Sequence, residues 1–152
     1  MKSYILSLIF SFFIGKYLKI NIYSIIMTTI NIIKQFNEIM GSFLSQITPM
    51  TGTNYHYKFT LAIKFNSAVV LESFLVYALP FRDKILKRDE SYFISNDLSE
   101  VVGNNSDAIN EVFKAKTIYE KIDDTSRKNM WDILQALLIL GEDYIKVKQA
   151  AK

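Results

Sequence analysis

The chain has no cysteine and a single histidine, His56. The first absence excludes disulfides, thiolate metal sites and a cysteine nucleophile, and it suits a reducing compartment. With one imidazole, a metal site would rest on carboxylates, and no Asp-x-Asp-x-Asp-Gly loop organises them. Ser-His-Asp catalysis would have to use His56, yet no serine sits in a Gly-x-Ser-x-Gly elbow. The phosphate-cradling patterns Gly-x-x-x-x-Gly-Lys and Gly-x-Gly-x-x-Gly are missing as well. Paired acids occur at Asp89/Glu90, Asp123/Asp124 and Glu142/Asp143. At helix caps and ends such pairs are ordinarily solvated. A carboxylate site joining His56 to Asp89 or Asp97 is the remote enzymatic alternative. The expectation is a non-enzyme with no catalytic residue, no cofactor, no metal and no small-molecule substrate.

Acidic residues are absent from the first 37 positions, where Lys2, Lys16, Lys19 and Lys34 are the only charges. From Glu38 onward there are 14 basic and 15 acidic side chains, so the net charge of +3 belongs to the N-terminal segment. A phosphate-binding surface needs clustered Lys and Arg. The one local run, Arg82, Lys84, Lys87 and Arg88, is interrupted by Asp83, Asp89 and Glu90, which argues against a nucleic-acid partner.

Glycine and proline are scarce too, five and two in 152 residues, while half the residues are hydrophobic. That composition folds, and the length suits one domain. Residues 1–26 stand apart as an island of Ile, Phe, Tyr, Leu, Ser, Asn and Lys. Tyr4 to Gly15 is apolar and Lys16 and Lys19 close it, whereas a spanning helix needs about 20 apolar residues. Extending the span to Ile33 encloses both lysines, at about 2.5–3.5 kcal/mol each near mid-membrane. Three readings stay open: a membrane anchor or uncleaved signal over 4–26, an AT-rich leader before a start at Met27, and an ordinary buried helix. An anchor with Lys16, Lys19 and Lys34 on its inner side would place the body in the cytoplasm.

Beyond Met27 the period is helical. Ile30, Ile33, Phe36 or Asn37, Met40, Phe43 and Leu44 trace one face, which Pro49 and Gly52 end. Residues 53–65 alternate enough to be strand, with helix preferred. Asn66 or Ser67 can cap a helix whose face is Val70, Phe74, Tyr77, Ala78, Phe81 and Ile85, kinked or split at Pro80. Gly103 to Asp107 is the clearest loop, and its Asn104-Asn-Ser triplet fits the glycosylation pattern. Asp107 then caps a helix to about Ile122 that buries Ile109, Val112, Phe113 and Tyr119. Asp124 to Ser126 cap the last helix, with Met130, Ile133, Leu134, Leu137, Leu138, Gly141, Tyr144 and Ile145 inward. Gly141 on that face predicts the close approach of another helix or an aromatic ring.

The expected fold is all-α: one compact bundle of four to six helices over 27–152, with a hydrophobic N-terminal helix over 1–26 outside it. Between Leu79 and Ile94, charges of both signs alternate with large apolar groups. That stretch reads first as an amphipathic turn laced by ion pairs, and alternatively as a docking surface of Phe81, Arg82, Lys84, Arg88, Tyr92 and Phe93. Trp131 is expected in the core, with its indole N–H near the helix cap.

Four strings carry a resemblance: Phe36-Asn-Glu-Ile-Met-Gly-Ser-Phe-Leu44, Leu79-Pro-Phe-Arg-Asp-Lys-Ile-Leu-Lys-Arg-Asp-Glu-Ser-Tyr-Phe93, Ile118-Tyr-Glu120 and Trp131-Asp-Ile-Leu-Gln-Ala-Leu-Leu-Ile-Leu140. They resemble a group of small helical proteins of giant nucleocytoplasmic DNA viruses of the mimivirus-like kind. The first 26 residues take no part. The resemblance implies a viral origin and a helical fold, and nothing about mechanism. The expected role is a non-enzymatic viral protein that binds other proteins or builds structure, in the virion or host cytoplasm. The alternative is a membrane-anchored protein whose helical domain faces the cytoplasm.

Overall fold

A computed structural model describes the backbone of residues 2–95, 103 and 105–152, and the side chains of these except 2–18, 20 and 108. Among the described residues the fold is all-α, with no strand. Helix α1 spans Lys2–Thr51, α2 Tyr55–Phe65 and α3 Val69–Ala78. A 3₁₀ turn over Leu79–Phe81 leads to the short helices α4, Arg82–Leu86, and α5, Glu90–Ser95. Helices α6, Ser106–Lys121, and α7, Asp124–Ala150, complete the chain.

Two long helices, α1 and α7, form the spine. Phe36, Leu71 and Leu138 are the largest side chains shut wholly away from solvent. Ile32 and Phe36 of α1, Leu71 and Leu75 of α3, and Leu137 and Tyr144 of α7 make the main core. A second cluster joins Ala78, Ile85 and Leu138, with Phe74, Phe81, Phe93 and Leu134 packed around it. Gly141 is where α3 and α7 close: a Cβ there would stand 2.4 Å from Leu75 Cδ2. The expected close approach at this glycine is met by an aliphatic side chain.

The helix ends follow local chemistry. Gly52, at φ +67°, takes the left-handed turn that stops α1, while Pro49 is absorbed inside its last turn. Asn54 Oδ1 accepts the Tyr57 N–H at 2.9 Å and starts α2, which settles the strand-or-helix question as helix. At Pro80 the chain does split, α3 giving way to the 3₁₀ turn and then α4. Two caps fall earlier than expected. Asp123, not Asp124, accepts the Ser126 N–H at 2.7 Å, and Asn105 Oδ1 accepts the N–H of Asp107 at 3.1 Å. Gly103 turns at φ +64°, and Asn104 of the expected glycosylation triplet lies outside the described residues.

Three expected core positions are exposed instead. Ile30 and Tyr77 are 51% and 57% exposed, because the buried stripes run through Ile32 and Leu75, two residues or about 200° away around the helix. Phe113 is 60% exposed, for α6 turns Val112 and Tyr119 inward. The 26/27 boundary drawn from composition falls inside α1, which continues through it unbroken.

Candidate functional site

Helix α6 stands off the α1–α7 seam. Its inner face carries Val112, Ala115, Lys116 and Tyr119, and Ala115 is too small to fill the space opposite. Beneath it lies an apolar groove of about 430 Å³, floored by Met40 and Phe43 of α1, Phe74 of α3, Phe93 of α5 and Met130, Trp131 and Leu134 of α7. Phe43, Met130 and Ile133 also line a smaller hollow of about 90 Å³ further along the same seam. A sealed empty cavity of the larger size would cost on the order of 10 kcal/mol. That rivals the ~5–15 kcal/mol stability of a whole domain. The exposed Ile94 and Ala115 mark a mouth instead, so this is a surface groove.

The walls are held in place from both ends. Trp131 Nε1 donates to Tyr119 Oη at 2.9 Å, tying α7 to α6 across the groove. Burial raises the Tyr119 phenol above its ordinary pKa. Arg127 donates to the carbonyls of Tyr119 and Glu120 at 3.0 and 3.1 Å, satisfying the last carbonyls of α6. Tyr55 Oη donates to Glu111 and fastens α6 to α2. Among the described residues the polar groups that reach the groove are Glu90, Lys116 and Tyr119; the other walls are hydrocarbon, ring or thioether. Such walls are suited to apolar groups.

The six residues of the proposed docking patch are brought together beside the groove, and each has a partner within the chain. Arg82 pairs with Glu142, and with Asp83 at 3.2 Å. Lys84 pairs with Asp89 at 2.9 Å and lies over the Tyr92 ring. Arg88 pairs with Asp132 and donates from Nη2 to Gln135 Oε1 at 2.9 Å. Phe81 and Phe93 pack edge to face and join the second core cluster, and Phe93 meets Trp131 across a 5.7 Å ring separation. Gln135 in turn donates to the carbonyls of Ile85 and Leu86 at 3.1 Å each, capping α4 from the side of α7. The patch therefore clasps α4 and α5 to α7, and Phe93 alone of the six reaches the groove. Trp131 is buried as expected, its N–H going to Tyr119 rather than to a helix cap.

His56 is exposed on α2, with Phe59 as its ring neighbour, and Asp97 lies outside the described residues. Among the described residues no three His, Cys, Asp or Glu side chains gather as metal ligands. The groove escaped the sequence because its floor has the helical phase of core. The one available signal was Ala115 between Val112 and Tyr119, a small residue on an inward face. No family model, curated protein or solved structure matches this chain.

Proposed function

We propose that the protein works by binding another protein, without catalysis, and that the groove between α6 and the α1–α7 seam receives apolar side chains of the partner. One observation carries the reading: an open groove of about 430 Å³ whose floor is Met40, Phe43, Phe93, Met130 and Trp131. Aromatic residues and Met are enriched at interfaces, and anchor side chains seat in such desolvated hollows. The thioethers let the floor adjust to the shape that enters. The resemblance of 36–145 to small helical proteins of giant viruses supports an infected cell or virion as the setting.

The test places a photo-cross-linking amino acid at Val112 in the full chain, in the cell that makes it, with Ser73 as a control outside the groove. A discrete protein adduct from position 112, absent from 73 and abolished by Ala115→Phe, is expected. No adduct from 112, or adducts with lipid alone, would overturn the reading.

A further inference from the structure

Helix α1 engages the main core only from Ile32 onward. In the nearly three turns before that, Ile22, Tyr23, Ile26, Met27 and Ile30 are 55%, 67%, 51%, 40% and 51% exposed. At about 100° per residue these five fall within one arc of roughly 140°. Lys19, also exposed, sits three residues before Ile22 and in the same arc. By position Lys16 continues it. Ile25 and Thr29, about 60° and 20° beyond the Ile22 edge of that arc, are partly buried.

We infer that this stripe of α1 lies on the surface of an anionic lipid bilayer. Aliphatic groups, an amphipathic Tyr and flanking lysines that reach headgroup phosphates are the composition of an interfacial helix. Charge points the same way: the first 37 residues carry four lysines and no acid. The polar side chains in the stretch make few demands on water. Thr28 and Thr29 donate their hydroxyls to the carbonyls of Ser24 and Ile25 at 2.8 and 2.9 Å. A second copy in parallel fits less well, because that pairing sets Lys19 against Lys19. Among the described residues no single helix is long and apolar enough to cross a membrane. The apolar bent pair α2 and α3–α4 instead buries Phe59, Leu71, Leu75, Ala78 and Ile85 within the protein. The stripe itself needs only an interface.

With no native cysteine, a single Ile26→Cys or Gln35→Cys in the full chain carries one polarity-sensitive dye. Mixed with phosphatidylserine-containing vesicles, the dye at 26 is expected to shift to the blue and to be quenched by nitroxide-bearing lipid. The dye at 35, on the opposite side of α1, stays water-like. Lys19→Glu weakens the response at 26. A dye at 26 that remains water-like with vesicles would overturn the inference. So would a shift that needs no vesicles and grows with protein concentration, which would assign the stripe to a second copy. An equal response with phosphatidylcholine alone would remove the anionic part of the assignment.

Discussion

Gly141 and Leu75 are matched so closely that Leu75 Cδ2 lies 2.4 Å from where a Cβ on Gly141 would stand. Glycine in mid-helix gives up about 1 kcal/mol relative to alanine. Leu75, only 6% exposed, occupies the room it leaves. Gly141→Ala gains the propensity but crowds a closed core, which costs about 1–3 kcal/mol. The expected result is a net loss of about 1 kcal/mol, read as a lower urea midpoint. Combined with Leu75→Ala the loss should shrink, giving a clear coupling in the double-mutant cycle. A cycle with no coupling would mean that α3 shifts away freely.

The clasp on α4 gives a second prediction. Gln135→Ala strips the Ile85 and Leu86 carbonyls of a donor and Arg88 of an acceptor, and is expected to cost about 1–2 kcal/mol. Arg88 itself sits at φ +52°, where a non-glycine residue is strained by about 1–2 kcal/mol. Arg88→Gly should therefore be more stable than Arg88→Ala, although both lose the pair with Asp132. Thermal melts of the two variants decide this, and the reverse order would show that the backbone there relaxes.

Filling the groove should separate stability from binding. Ala115→Phe adds a ring over an apolar floor and is expected to raise stability by about 1–2 kcal/mol. For a chain of this size that corresponds to roughly 2–4 °C per kcal/mol in Tm. A lower Tm would mean that α6 is already in contact there.

Acid sensitivity follows from three carboxylates. Tyr144, with help from Lys148, holds Glu72 below its ordinary 4.5. Lys84 lowers Asp89, and the Ser126 N–H lowers Asp123. Folding favours their ionised forms, so that stabilisation is full at neutral pH and is lost as pH falls through 4.5 and below. Tyr144 is raised above its ordinary 10.0 by burial and then by Glu72, so its contribution is present below 10.0 and lost as pH rises through the folded value. Glu72→Gln should flatten part of the acid limb of a Tm–pH profile and lower the basic pKa seen by tyrosinate absorbance. An unchanged profile would mean that solvent screens the trio Glu72, Tyr144 and Lys148.

Much of the bundle was legible because helical period and caps are local. The α7 face from Met130 to Ile145, the split at Pro80 and the purpose of Gly141 all follow from residue spacing. The phases of α1 and α3 were harder. Apolar residues surround both helices, so spacing alone cannot choose Ile32 over Ile30 or Leu75 over Tyr77; the partner helix chooses. The groove was hidden for a related reason, since a floor residue and a core residue share one pattern until a facing helix is seen to stand away. The charges between Leu79 and Ile94 were visible, but their partners Asp132, Gln135 and Glu142 sit some fifty residues further on and are fixed only by the fold.

Helix α1 carries a geometric consequence through its continuity across the 26/27 composition boundary. With no joint between the Ile22–Ile30 stripe and the Ile32–Phe36 anchor, the two are phase-locked like marks on one shaft. Inserting a single residue between Met27 and Ile32 would turn the stripe by about 100° relative to the bundle, whereas seven residues would nearly restore it. Whatever surface grips the front of the shaft thereby sets the heading of the groove.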